Sequence, residues 1–142
     1  MSDVSLRTDP AQLAAEVDEL AAERWRHTSG AANHRALASR LRQVAASIDD
    51  TAEPLAALLD PVIALHTTTT WEGVAATAAR ERLDRHEERC WHALRSARGL
   101  AAELRAEAET EDARARTDDA LAGDLLRRIA GLELELGRFD HI

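Results

Sequence analysis

The sequence is poor in residues that bend or cross-link a chain: three prolines, six glycines and one cysteine occur among 142 residues. The single cysteine, Cys90, excludes a disulfide bond within the chain. Tyrosine and lysine are absent, whereas 30 residues are alanine. Because alanine is the strongest helix former and glycine and proline are the weakest, this composition predicts an all-α fold. A chain of this length is expected to form a single domain with a modest core.

Positive charge is also scarce, since 18 basic residues face 26 acidic ones and the formal net charge is −8. Nucleic acids and anionic membranes attract cationic surfaces, so neither is expected as a partner. No run of about 20 uncharged apolar residues occurs, which predicts that no helix inserts into a membrane. Residues 1–9 lack the cationic and apolar parts of a standard signal peptide and are interpreted as a flexible tail. A cytoplasmic location is therefore expected.

A short accessory helix is predicted over residues 10–27. Asp9 can cap its start, and Pro10 suits the first helical position because proline has no N–H to leave unpaired there. The pair Ser29-Gly30 is a typical helix end. The helix has one narrow apolar face, so it is expected to dock on a larger body.

The longest periodic pattern covers residues 32–66. Apolar residues recur there in steps of three and four, the spacing of a coiled-coil seam. Pro54 and Pro61 lie inside the pattern, and each removes one backbone hydrogen bond. Because the seam keeps its phase through both prolines, we predict one kinked but continuous helix. All members of this predicted leucine seam except Thr51 are also expected to bind a partner; the seam consists of Leu37, Leu41, Val44, Ile48, Thr51, Leu55, Leu58, Val62 and Leu65.

The segment that follows predicts a turn. Thr69 and Glu72 have the spacing of a capping box, in which the two side chains satisfy backbone N–H groups at a helix start. A helix is therefore expected over residues 70–116. Gly73 would lie in its first turn, where glycine suggests close approach of another backbone. Trp71 is expected to fill the space between two antiparallel helix ends.

The apolar stripe of this third helix is mostly alanine, and it can accept the branched side chains of the predicted leucine seam. Trp91 is interpreted either as an anchor for a partner or as a residue covered by a terminal helix. Residues 105–117 are nearly all alanine and charged residues, and three glutamates from position 103 onward share one face; this suggests a solvated extension or a surface for a partner that carries arginines. The larger stripe residues expected to bind a partner are Leu83, Trp91, Leu94, Leu100 and Leu104, and the glutamates are Glu103, Glu107 and Glu111.

A fourth helix is predicted over residues 118–137, from Asp118-Asp119 at its start to Gly137 at its end. The fold expected from the sequence is thus an antiparallel hairpin within a four-helix bundle. Either the two terminal helices or a partner would complete the bundle.

Catalytic or metal-binding patterns are weak. His86 and Cys90 are spaced to place two ligands on one face of a helix, and the hypothesis of a metal-dependent enzyme rests on them alone. A His and a Cys in an apolar stripe more often pack as core groups. The sequence has no Gly-rich phosphate loop, HExxH motif or nucleophile elbow. We therefore expect no enzyme activity, no metal and no cofactor.

The turn and the residues after it resemble the WXG family, the small helical hairpins associated with type VII secretion in actinobacteria and Gram-positive bacteria. Trp71 and Gly73 match the family's Trp-x-Gly signature, and the resemblance covers about residues 32–110. It implies a homo- or heterodimer with a helical protein, such as a secreted toxin or a second WXG protein. The family's Tyr-x-x-x-Asp/Glu export signal has no counterpart in a chain without tyrosine. The resemblance therefore implies that a partner supplies the signal, or that this chain is not exported.

A second interpretation stays open. The chain could be a self-contained or homo-oligomeric bundle with a structural, regulatory or toxin-neutralising role. Two helices bury only one seam of a hairpin, so in both interpretations further helices must cover its second face.

Overall fold

The computed structural model describes residues 9–67 and 73–140, and the side chains of residues 9–59 and 73–140. Two α-helices make up this part of the chain: α1 spans Pro10–Thr67 and α2 spans Val74–Phe139. The helices pack against each other as a hairpin, and the described residues contain no strand. The predicted all-α class and the hairpin are confirmed, whereas the described chain contains two helices instead of four.

The start of α1 agrees with the prediction. The carboxylate of Asp9 accepts a hydrogen bond from the N–H of Ala11 at 3.0 Å, and its carbonyl accepts the first helical bond from Leu13. Pro10 occupies the first helical position. Asp9 is therefore the N-cap of α1, as residue type and position predicted.

The predicted end of the accessory helix at residue 27 is wrong, because α1 continues unbroken through Ser29-Gly30. Gly30 serves packing instead of termination. A Cβ atom placed on it would lie 2.8 Å from Oδ2 of Asp118, closer than side chains normally approach. The glycine leaves room for this carboxylate from α2.

The predicted boundary before residue 118 is also wrong, because α2 passes through it and through Gly137 to Phe139. Asp118 and Asp119, expected as a helix start, point across to α1. Asp118 contacts His27 at 2.9 Å, and Asp119 pairs with Arg35. Both acidic side chains pair with the facing helix and do not cap a helix start.

The predicted continuity of residues 32–66 is confirmed, since α1 has no interruption at Pro54 or Pro61 and extends to Thr67. The proline ring disfavours helix through one lost hydrogen bond and one clash. In α1 these local costs are outweighed by the long pairing with α2.

Gly73 corrects the prediction for the turn. It precedes α2 instead of lying in its first turn, and its φ angle is +103°, in the region that favours glycine. Its carbonyl accepts the first helical bond, from the N–H of Thr77 at 3.0 Å. A Cβ there would meet no atom of the described residues within 4 Å. Within the part of the chain that the structure describes, backbone conformation, not close approach of another segment, accounts for this glycine.

We predict that Gly73→Ala lowers the free energy of unfolding by about 1–2 kcal/mol, because a side chain at positive φ is strained. Chemical denaturation followed by circular dichroism measures this. Gly99→Ala is the control, since Gly99 lies inside α2 with open space around it and should gain helix propensity. A stability of Gly73→Ala equal to that of the parent chain would contradict the prediction.

The described helices divide into two compact units. Unit 1 combines the first part of α1, up to Ala38, with α2 from Thr110 onward, and unit 2 comprises Ser39–Glu109. In unit 1, Leu20, Leu125 and Ile129 form a buried cluster, and the partly buried Val17 and Leu132 pack against it. The two terminal segments thus pack on each other as parts of α1 and α2.

In unit 2 the buried residues of α1 lie one position after several members of the predicted leucine seam, so the prediction of which residues are buried is corrected by one residue. In unit 2, Ala45 and Ala52 are buried on α1, whereas Val44, next to Ala45, is 50% exposed. Leu58, next to the buried Leu59, is 67% exposed. The facing stripe of α2 is also mostly alanine. Small side chains let two helices approach closely, so alanine packs on alanine instead of leucine on alanine. The buried apolar residues of unit 2 are Ala45, Ala52, Leu59, Leu94, Ala101 and Ala108.

Candidate protein-binding surface

An apolar groove of about 610 Å³ lies along one side of unit 2. Its α1 wall includes Val44, Thr51 and Leu55, and its α2 wall includes Ala93 and Ala97. Among the residues that the structure describes, no charged side chain lines it. We define the groove by its lining residues, Gln43, Val44, Ser47, Ile48, Thr51, Ala52, Leu55, Ala93, Leu94 and Ala97.

The groove joins the two stripes that the sequence predicted. They were expected to face each other, but the closer packing of the alanines turns them toward the same side. Val44 is 50% exposed and Leu55 is 53% exposed. Leu100, one turn beyond Ala97, is 49% exposed. Unit 2 therefore presents apolar side chains from both helices to solvent.

The remaining predicted partner-binding residues are distributed unevenly. Leu94 is 2% exposed and belongs to the core, so its side chain reaches only the floor of the groove. Leu37 is exposed in unit 1. The half-buried members are Leu41, Ile48, Leu83, Trp91 and Leu104. The predicted partner-binding residues Val62 and Leu65 lie outside the described side chains, and the predicted turn residues Thr69, Trp71 and Glu72 lie outside the described residues.

Trp91 lies on another side of unit 2 and does not line the groove. Its half-buried side chain lines two surface pockets, of about 600 and 390 Å³. Other residues of unit 2 line these pockets, among them Glu53 and Arg98 in the larger one and Glu88 in the smaller one. Its predicted role as a partner anchor stays a prediction.

A polar group interrupts the core of unit 1, and the sequence reasoning missed it. His34 Nδ1 lies 2.5 Å from Oε2 of Glu111, and His27 Nδ1 lies 2.9 Å from Oδ1 of Asp118. The second ring nitrogen of His34 lies 3.6 Å from the other Asp118 oxygen. We call His27, His34, Glu111 and Asp118 the histidine–carboxylate layer.

Glu111 is 3% exposed, which corrects the expectation of a solvated side chain at this position, whereas Glu103 and Glu107 are exposed. A buried carboxylate needs hydrogen-bond partners, and His34 and Arg114 supply them. The hydrogen bond with His34 is the main cause that lowers the pKa of Glu111; burial opposes this effect and Arg114 adds to it. The sequence does contain a signal for this layer. On each helix two polar residues lie one heptad apart, at positions whose neighbours at the same spacing are apolar.

The lowered pKa predicts loss of stability in acid. Folded Glu111 holds its proton more weakly than unfolded Glu111, so its stabilisation is present above the ordinary glutamate pKa and disappears as pH falls through the lowered value. We expect Glu111→Gln to reduce the loss of unfolding free energy between about pH 6 and pH 3. Urea titrations at several pH values measure it. Glu103→Gln, at an exposed position of α2, should leave the pH profile unchanged, and equal profiles for all three chains would contradict the prediction.

The metal hypothesis gains no support. Cys90 and His86 are exposed. Within the described residues, no group of three or more His, Cys, Asp or Glu side chains is arranged to hold a metal ion. Nor is any helix of the described chain both long and apolar enough to span a membrane.

No protein-family model matches the chain, and no curated protein and no solved structure is significantly similar to it.

Proposed function

We propose that the protein is a non-catalytic helical adaptor that binds another helical protein through the apolar groove of unit 2. The observation that carries the proposal is a groove lined by uncharged residues, in which the side chains of Val44 and Leu55 are about half exposed. Burying such side chains contributes about 1.5–3 kcal/mol each, so a complementary surface would stabilise them. The second face of the hairpin is the site of this interaction.

The shape and chemistry of the groove favour a helix as its occupant. Helical steps of three and four separate Val44, Ile48, Thr51 and Leu55, and a facing helix can interdigitate with them at the same spacing. Two facing helices would bring the local arrangement to four. We therefore propose that the four-helix bundle expected from the sequence forms between chains.

The resemblance to the WXG family suggests the kind of partner. A secreted toxin or a second WXG protein would present helices of this type, and a partner with a Tyr-x-x-x-Asp/Glu tail would supply the export signal that this chain lacks. In this proposal the chain acts in the cytoplasm as one member of a type VII export pair, and it is the member that lacks the export signal.

Purification of the tagged chain from its native cells, followed by mass spectrometry, tests the proposal. We expect a predominantly helical protein at a fixed stoichiometry, retained by the parent chain and lost from Thr51→Glu, which puts a charge on an exposed groove position. The matched control is Ala57→Glu, on α1 but outside the groove. Equal retention by both variants would overturn the proposed site.

The self-contained or homo-oligomeric bundle predicts a different result. The purified chain would form a defined oligomer, measurable by light scattering, and Thr51→Glu would dissociate it without any second protein. A stable monomer that captures no helical protein would contradict both functions.

A further inference from the structure

The buried alanines repeat with the same period on both helices. Within each set, successive members are seven residues apart, so a slip of one helix by one heptad, about 10 Å, again brings alanine opposite alanine. Such a repeat specifies the register of two helices weakly. The two sets are Ala31, Ala38, Ala45 and Ala52 on α1, and Ala101, Ala108, Ala115 and Ala122 on α2.

The histidine–carboxylate layer does not tolerate this slip. His34 faces Glu111 and His27 faces Asp118. A shift of seven residues in one direction would place Glu111 opposite Leu41. The opposite shift would place Asp118 opposite Leu20. Each shift leaves a carboxylate against an apolar side chain without its partner, which is costly inside a protein.

Gly30, which makes room for one member of this layer, also fits one register only. The carboxylate of Asp118 occupies the space where a side chain of residue 30 would begin, at 2.8 Å from the position of a Cβ atom. One heptad along α1, the corresponding positions 23 and 37 are Glu23 and Leu37, and neither leaves such a space. A shifted Asp118 would meet a side chain there.

We propose that the histidine–carboxylate layer is a register lock: it selects one of several alignments of α1 and α2 that the alanine repeats leave close in energy. Buried polar groups are known to fix register in coiled coils at a cost in stability. The inference does not depend on the proposed function.

Cross-linking between introduced cysteines tests the lock. In a Cys90→Ser background, Arg35→Cys is combined with one of three substitutions: Asp119→Cys for the present register, where these two residues form an ion pair, and Leu126→Cys or Asp112→Cys for the two shifted ones. A short bis-maleimide probe joins cysteines that face each other. With the layer intact, we expect the first pair to cross-link at least about 10-fold faster than either other pair.

The decisive comparison removes the layer. In a chain with His27, His34, Glu111 and Asp118 all replaced by alanine, we expect a shifted pair to cross-link within about 3-fold of the rate of the first pair. The control replaces Arg42, Asp49, Arg105 and Glu109 by alanine, which removes two ion pairs of unit 2 and leaves the layer in place. This control should keep the single register.

Two outcomes overturn the lock: a single register in the chain without the layer, or the same slip in the control. Circular dichroism verifies helicity first. If the alanine variant is not helical, Glu111→Gln with Asp118→Asn keeps side-chain size while removing both charges, and it should raise the cross-linking rate of a shifted pair at least about 3-fold over the intact layer. No rise in this variant would overturn the inference.

Discussion

Replacing Ala45 with leucine is expected to lower the free energy of unfolding by about 1–3 kcal/mol. Ala45 is 0% exposed and lies in the stripe of α1 that packs on α2. A leucine there adds three carbon atoms where the helices approach closely, so either the helices separate or the side chain takes a strained rotamer. Guanidinium denaturation followed by helicity measures the effect.

Ala46→Leu is the control for this prediction. It makes the same substitution at the next residue of α1, where the side chain is exposed and leucine is nearly as good a helix former as alanine. We expect its stability to stay within about 0.5 kcal/mol of the parent chain. If Ala45→Leu were as stable as Ala46→Leu, alanine packing would not be what holds the two helices together.

Charges placed in the groove should have the largest effect on binding. We expect Thr51→Glu combined with Ala93→Glu to weaken the partner complex at least about 30-fold, equal to about 2 kcal/mol, because two carboxylates would be desolvated against apolar side chains. Both residues are exposed, one on each wall of the groove, so the free chain should stay folded. Isothermal titration calorimetry with the purified partner measures the affinity.

The control for the groove variant is Ala57→Glu combined with Glu88→Ala. It keeps the substitutions on the same two helices, on the side that includes Trp91, and outside the groove. A loss of affinity equal to that of the groove variant would place the partner elsewhere on unit 2. Equal melting temperatures for the two variants would show that the difference arises in binding.

Helix content and the hairpin could be predicted because they depend on composition and period. The internal boundaries could not, because the same residues serve two purposes. Gly30 has the residue type of a helix end, yet it provides space for Asp118. Asp118 has the residue type of a helix start, yet it pairs with His27. Local signals give the wrong result where a facing helix supplies the partner that a cap would otherwise need.

The candidate surface could be predicted in part. The leucine and alanine stripes were recognised, but steps of three and four fit two neighbouring stripes of α1 equally well. Ala45 and Val44 differ by one position, and the closeness of packing against α2 decides which is buried. The histidine–carboxylate layer needed the pairing of two distant segments, which periodicity in one helix does not reveal. Trp71, one of the two signature residues of the family resemblance, lies outside the described residues, as do Thr69 and Glu72 of the predicted capping box.

The most direct test of the adaptor function is photo-cross-linking from inside the groove in native cells. A photoreactive phenylalanine analogue replaces Thr51 in one chain and Ala57 in another, both exposed positions of α1. We predict that position 51 forms an adduct with a helix of one partner protein and that position 57 forms far less. An adduct from position 57 alone, or none from position 51 while the partner stays bound, would contradict binding through the groove.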